Sequence, residues 1–187
     1  MKRLFCAIKL TANEKLKALM ESFRSRLHNE RINWVDPENL HITLKFFGDT
    51  PGKTEGDIIT ALREAASGIS AFSLRLSGFG TFGNRQMPKV IWVAAESGGR
   101  LEGLYDAINN NIGPLGYHPD RKHFVPHLTI GRIKHINRQD TLENLIEQHR
   151  DSETGELFVS SFYLFQSILR PEGPLYIIRK EFQLPEV

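Results

Sequence analysis

His41-Ile42-Thr43-Leu44 and, 86 residues later, His127-Leu128-Thr129-Ile130 are two copies of one short phrase. In each copy a His and a Thr are separated by one apolar residue and followed by another, which is the period-two alternation of a half-buried strand. Both polar side chains therefore share a face, about 6.6 Å apart along the strand, so one imidazole and one hydroxyl can reach a group the size of a phosphate. Two copies facing each other give two imidazoles and two hydroxyls. With seven His and nine Thr in the chain, two His-x-Thr matches alone arise by accident in roughly one such sequence in twenty. The flanks add weight. Pro37 precedes His41 by four residues and Pro126 directly precedes His127, each copy sitting in an apolar frame, as a repeated structural unit requires. The plain alternative is two unrelated strands that each expose a His and a Thr.

At 187 residues the chain has material for one substantial core or for two small lobes that share one. Its formal net charge of +2 is too small for a protein that coats long duplexes by counterion release, and fits a small anionic ligand or an RNA end better. The single cysteine, Cys6, cannot close an internal disulfide, and without a Cys pair or Cys/His cluster a structural zinc site is not expected. A reducing cytoplasm is the expected compartment. Met1-Lys2-Arg3 opens as a signal peptide does, but the apolar run Leu4-Phe5-Cys6-Ala7-Ile8 stops at Lys9, too soon for a signal h-region. No stretch approaches the length of an apolar membrane span.

Outward from the two motifs, residues 3 to 10 read as a strand with Leu4, Cys6, Ile8 and Leu10 on one face. A helix follows, started by a capping box of Thr11 and Glu14 and carrying Leu16, Leu19, Met20, Phe23 and Leu27 at helical spacing. Residues 31 to 36 form a short strand, Pro37-Glu38-Asn39 turns into the His41 strand, which ends near Gly48, and a helix spans about 52 to 67. Phe72, Leu74 and Leu76 pair in a hairpin with Val90, Trp92 and Ala94, with Gly78, Gly80 and Gly83 permitting irregular backbone between them. A third helix covers about 99 to 111, ended by Gly113-Pro114. The His127 strand runs to about Ile133, a fourth helix runs from Asn137 to His149 with Asn137 starting it, and strands follow near 156 to 169 and 175 to 183. Hairpin-paired strands among four helices give an α+β class. No linker or low-complexity run divides the chain.

Longer segments carry a resemblance. Arg3 to Ile8, Trp34 to Gly48, Phe79 to Trp92, Phe124 to Arg132, Ser167 to Leu169 and Gly173 to Tyr176 resemble corresponding stretches of the two-His-x-Thr (2H) phosphoesterases, and within them of the RNA 2',3'-cyclic phosphodiesterases, also called 2'-5' RNA ligases. The resemblance implies one bilobal domain over 1–187: two lobes related by an approximate twofold axis, each an antiparallel sheet with helices outside, flanking a central cleft. It implies hydrolysis of a 2',3'-cyclic phosphate on an RNA end or nucleotide to a 2'-phosphate, with 2'-5' ligation as the reverse reaction, without metal, cofactor or obligate protein partner. Histidine suits such work, since its ordinary pKa of about 6.5 lets one copy be neutral and the other protonated.

On the family's proposed mechanism His127 is the base that activates water and His41 the acid on the departing 3'-oxygen. Thr43 and Thr129 then donate hydrogen bonds to the non-bridging oxygens. Arg132 is either a further phosphate or base contact or a solvated surface arginine. Trp34 and Phe82 are either base-stacking platforms or core. His28, His118, His123, His135 and His149 receive no role, and a metal pair of His123 with His127 would need a helix that Pro126 opposes. Two other functions remain open at this level: a non-catalytic binder of RNA ends or nucleotides, and a sister phosphodiesterase acting on ADP-ribose cyclic phosphate or an oligoadenylate. Intact His and Thr at all four positions count against the first, because binding alone does not need two titrating groups.

Overall fold

The computed structural model describes residues 1–84, 86–119, 123–171 and 173–186, and over these the chain forms two antiparallel sheets and four helices. The first sheet has the order β3-β1-β8-β9, from β1 (Lys2–Lys9), β3 (His41–Thr50), β8 (Ser161–Ile168) and β9 (Leu175–Gln183). The second has the order β2-β6-β5-β4-β7, from β2 (Arg31–Trp34), β4 (Phe72–Asn84), β5 (Met87–Glu96), β6 (His127–His135) and β7 (Glu153–Val159). The α+β expectation holds. No helix among the described residues is long and apolar enough to cross a membrane.

Each helix buries its apolar stripe on a sheet, and two of them cross to the sheet their preceding strand does not belong to. Helix α1 (Glu14–Arg26) leaves β1 but packs against β7, with Phe23 stacked on Phe79 of β4 at 4.8 Å. Helix α3 (Arg100–Ile112) leaves β5 but packs against β3 and against α2 (Glu55–Ser67), which also meets β9. With α4 (Gln139–Gln148) on β4, each sheet is backed by two helices. The exchange joins apolar residues of both sheets into one large cluster, from Leu4 and Ile42 to Ile91 and Ile130, while Phe5, Ala7 and Phe165 form a second, smaller one. Glu55 at the start of α2 clamps this end of the molecule. It accepts from Arg179 of β9 at 2.7 Å and pairs with Lys2 of β1, and these cations, Arg179 first, hold its carboxyl below the usual range.

Five details differ from the sequence expectations. Helix α1 is capped by Asn13 rather than by a Thr11–Glu14 box: the Asn13 carboxamide accepts from the Leu16 N–H at 2.8 Å and donates to the Thr154 carbonyl at 2.8 Å, so one side chain serves cap and tertiary contact. Helix α4 begins at Gln139 and not at Asn137, because the Asn137 and Arg138 N–H groups donate to the Glu30 carboxylate from across the fold. The single strand expected over 156–169 is two, β7 and β8, which part at Ser160 and join different sheets. Residues 52–54 are a 3-10 turn ahead of α2. The glycines expected in a loop lie within β4 itself; at Gly80 the Trp92 ring lies across the backbone, and an added Cβ would stand 2.3 Å from it.

Candidate active site

Strands β3 and β6 bring the two motifs together between the sheets, and they do so with the same construction. From His41 to Phe47 and from His127 to Ile133 the burial runs identically: half-buried, buried, half-buried, buried, buried, exposed, buried. The first four places are the expected alternation, with Ile42, Leu44, Leu128 and Ile130 in the core and His41, Thr43, His127 and Thr129 toward the cleft. The double buried step comes from a β-bulge directly after each threonine. Against β1, Thr43 pairs with Ala7 and Lys45 with Cys6, leaving Leu44 extra; against β5, Thr129 pairs with Trp92 and Gly131 with Ile91, leaving Ile130 extra.

The bulges decide which later side chains reach the cleft. Strict alternation puts Arg132 on the core face with Ile130, yet the extra residue turns it to the cleft, where it is exposed and lines a cavity with His41. Its counterpart in the first motif, also five residues after the histidine, is Phe46.

Both imidazoles are held in one tautomer by the same device. His41 Nδ1 lies 2.6 Å from the Asn39 carbonyl and His127 Nδ1 2.7 Å from the Val125 carbonyl, each two residues upstream. A carbonyl oxygen only accepts, so each Nδ1 carries hydrogen and each Nε2 is the nitrogen left to exchange protons. The turns set these carbonyls. Before His41, Asp36 caps the 3-10 turn Pro37–Asn39, accepting from the Glu38 N–H at 2.9 Å. Aromatic rings brace the imidazoles: Phe5 and Tyr176 each stand 5.2 Å from His41, and Phe82 meets His127 edge-on at 4.7 Å. Among the described residues neither the Thr43 nor the Thr129 hydroxyl has a protein partner.

Two cavities flank the motifs, and each mixes the two copies. A cavity of about 320 Å³ is lined by His41 with Thr129 and Arg132, and by Trp34, Arg170 and Tyr176. A larger one of about 700 Å³ is lined by His127 with Thr43 and Phe46, and by Phe82, His123 and Phe124. Among the described residues Arg132 and Arg170 form no ion pair, and they share the smaller cavity with the Asp36 carboxylate. Burial lowers the pKa of both histidines below the ordinary value, each carbonyl pulls it back up, and the Arg132 charge lowers it further in both; at His41 the charge of His127 adds to this. The Tyr176 phenol is pushed up by burial and eased down by Arg132.

The structure thus gathers His41, His127, Thr43 and Thr129, as expected from the sequence, around one cleft, and adds Arg132, which the sequence left open between ligand contact and solvated surface. Trp34 lines the smaller cavity, while Phe82 braces His127 and packs on Trp92 at 5.2 Å. Tyr176, Arg170 and Phe46 carry no role in the sequence reading, and His123 enters it only as a rejected metal partner of His127; Tyr176 and Phe46 lie in segments that carry the resemblance, but nothing local marks Tyr176 as a neighbour of His41. Of the other histidines, His149 packs against the stacked pair of Phe23 and Phe79, and His28 bonds the Ser25 carbonyl. No group of three His, Cys, Asp or Glu among the described residues is placed to hold a metal ion. Cys6 is buried, which pushes its thiol up and leaves it protonated.

Antiparallel sheets that each present a His and a Thr from one strand are the fold of the two-His-x-Thr phosphoesterases. The chain belongs to the 2'-5' RNA ligase superfamily, whose family model matches residues 12–168. It is 33% identical over 180 residues to an RNA 2',3'-cyclic phosphodiesterase of Methanocaldococcus jannaschii, covering 96% of this chain and 99% of that one. A protein of the same description from Thermotoga maritima is 34% identical over 178 residues, covering 94% and 93%. Among solved structures, a Thermus thermophilus protein superimposes with a TM-score of 0.78 at 28% identity, covering 98% of both chains. Escherichia coli LigT, at 20% identity and a TM-score of 0.73 over 99% of this chain and 98% of that one, shares the fold.

Proposed function

We propose that the protein is an RNA 2',3'-cyclic phosphodiesterase that opens the cyclic phosphate of RNA ends or nucleotides to a 2'-phosphate. The observation that carries this is the twice-built strand, which aims two titratable Nε2 atoms and two hydroxyls at one cleft beside Arg132 and Arg170. The relatives described as RNA 2',3'-cyclic phosphodiesterases support the substrate class.

In this mechanism His127, neutral, takes a proton from water through Nε2. The new P–O bond forms as the P–O3' bond breaks opposite it, and His41, protonated, gives its Nε2 proton to the 3'-oxygen. Thr43 and Thr129 donate to the non-bridging oxygens, and Arg132 balances the phosphate charge. The depressed pKa of His41 works against its acid role in the empty cleft. An arriving phosphodiester anion offsets the Arg132 charge and raises the imidazole's proton affinity when a proton is needed. No step uses a metal or nucleotide cofactor, and the thiol in Cys6 fits a reducing cytoplasm as the site of action.

The test is turnover of 2',3'-cyclic nucleotides, cyclic-ended RNA and ADP-ribose cyclic phosphate, with products assigned by phosphorus NMR. His41→Ala and His127→Ala should each lower turnover by about 10²-fold or more with folding preserved. A variant at near wild-type turnover removes that histidine from the mechanism, and formation of the 3'-phosphate reverses which bond is broken.

A further inference from the structure

In-line displacement puts the entering and leaving oxygens on opposite sides of phosphorus, so the nucleoside that owns the 3'-oxygen lies on the acid's side, in the cavity with His41. That cavity, about 320 Å³, is at the lower end of the range for small-ligand sites and has room for one nucleoside. It holds two arginines from different parts of the fold. Arg132 comes from β6, opposite Asn33 of β2, and Arg170 from the turn that joins β8 to β9. A single phosphate does not account for both.

The two guanidinium groups act at different places. The Arg132 charge disfavours both imidazolium forms and eases the Tyr176 phenol down, as a cation beside the reacting phosphorus does, whereas Arg170 is not among the charges that displace any of these three groups. Arg170 is exposed and pairs with no carboxylate among the described residues. Its turn is built to hold it at the rim. The Gly173 N–H donates to the Arg170 carbonyl at 3.1 Å, with Gly173 at φ +133°, and Pro171 and Pro174 restrict the backbone to either side. Asp36 is the one carboxylate among the described lining residues; it already accepts from the Glu38 N–H, and it repels an anion from the wall between β2 and β3. An anion in this cavity beyond the one at Arg132 is therefore directed to Arg170.

A cyclic-ended RNA carries its next negative charge on the phosphodiester 5' of the same ribose, one nucleotide back along the chain. We propose that Arg170 binds this 5'-phosphodiester, so that the cavity spans two phosphates across one nucleoside, with Arg132 at the cyclic phosphate and Arg170 at the next. The inference rests on the cyclic phosphodiesterase chemistry proposed above. It makes the preferred substrate an RNA end rather than a free nucleoside 2',3'-cyclic phosphate, whose 5'-hydroxyl gives Arg170 no charge to neutralise.

The experiment compares hydrolysis of adenosine 2',3'-cyclic phosphate with that of the same compound carrying a 5'-methylphosphate, which adds the diester charge and no second nucleoside. In the wild-type protein the 5'-methylphosphate should raise kcat/KM by about three- to tenfold, between the effect of an exposed ion pair and that of a charged hydrogen bond, and should do so through KM. Arg170→Gln should bring the ratio of the two substrates close to one, and Arg170→Lys should keep part of the gain, since an ammonium supplies the charge without the planar fork. Arg132→Gln should slow both substrates and leave the ratio alone. Lys53→Gln, an exposed cation beyond the far end of β3, should change neither rate. No gain in the wild-type protein, a gain that persists in Arg170→Gln, or one that is lost in Arg132→Gln or Lys53→Gln overturns the assignment. If the wild-type protein hydrolyses neither compound, the phosphodiesterase proposal fails. Calorimetric binding of adenosine 3',5'-bisphosphate against adenosine 3'-phosphate then decides on Arg170 by itself: tighter binding of the bisphosphate that Arg170→Gln abolishes upholds the site, and equal binding, or a preference that persists in the variant, overturns it.

Discussion

Gly80→Ala tests whether packing behind the site positions the base. A Cβ built on Gly80 would stand 2.3, 2.4 and 2.8 Å from three carbons of the Trp92 ring, against an optimal carbon–carbon separation of about 3.5–4.0 Å. The ring must retreat by about 1 Å or more, and it has little freedom to do so. Trp92 is opposite Thr129 in the β5–β6 ladder, its ring lies 5.2 Å from Phe82, and Phe82 in turn braces His127 at 4.7 Å. Overpacking of this kind costs about 1–3 kcal/mol, and at about 2–4 °C per kcal/mol for a chain of this size Tm should fall by about 2–12 °C. Transmitted to His127, a displacement near 1 Å lowers kcat by up to about 10²-fold. Thermal unfolding and kcat on a 2',3'-cyclic nucleotide measure the two effects. Gly56→Ala, where nothing lies within 4 Å of the added carbon in α2, is the control and should be neutral or stabilising by up to about 1 kcal/mol. Trp92→Phe in the Gly80→Ala background should recover stability, because the indole N–H it removes has no hydrogen-bond partner among the described residues. An unchanged Tm refutes the clash, and a lower Tm with unchanged kcat refutes the coupling through Phe82.

Because burial and Arg132 hold both histidines below the ordinary pKa of about 6.5, kcat/KM should be bell-shaped with its maximum below that pH. Arg132→Gln removes a charge that disfavours both imidazolium forms, so both limbs should move to higher pH; limbs that stay or move down show that Arg132 does not act on the pair. His127→Gln should remove chiefly the acidic limb and His41→Gln the basic one, and the opposite assignment exchanges acid and base. Activity should persist in excess EDTA and without ATP, and loss on chelation that one divalent ion restores would reveal a metal requirement.

The motif strands were legible because their alternation is uninterrupted through the threonines, and the helices because their apolar residues recur at 3.6. What escaped the sequence is what long-range contact decides. The bulges at Leu44 and Ile130 leave no local mark, since each extra residue is an ordinary buried aliphatic, and without them Arg132 cannot be placed on the cleft face. The break at Ser160 divides a continuous run of strand-forming residues whose two halves find partners in different sheets. Asn13 displaces Thr11 as cap because it is also committed to the Thr154 carbonyl, 141 residues away. Tyr176 and Arg170 reach the His41 cavity only through the pairing of β9 beside β8.

Two copies of one construction give a pair of histidines with the same tautomer, the same anchoring carbonyl and the same direction of pKa displacement, so the protein frame alone does not separate acid from base. What it does is oppose protonation of both at once. The charge of His127 disfavours protonation of His41, Arg132 disfavours both, and the pair titrates as a unit that resists holding two. One proton shared between two imidazoles is the state acid–base transfer requires. The asymmetry then lies in what surrounds them: Arg132, Arg170 and Tyr176 around His41, and Phe46, Phe82 and Phe124 around His127. An anionic phosphate drawn toward the arginines favours the proton on the His41 side, and leaves His127 neutral and facing the roomier cavity from which the nucleophile enters.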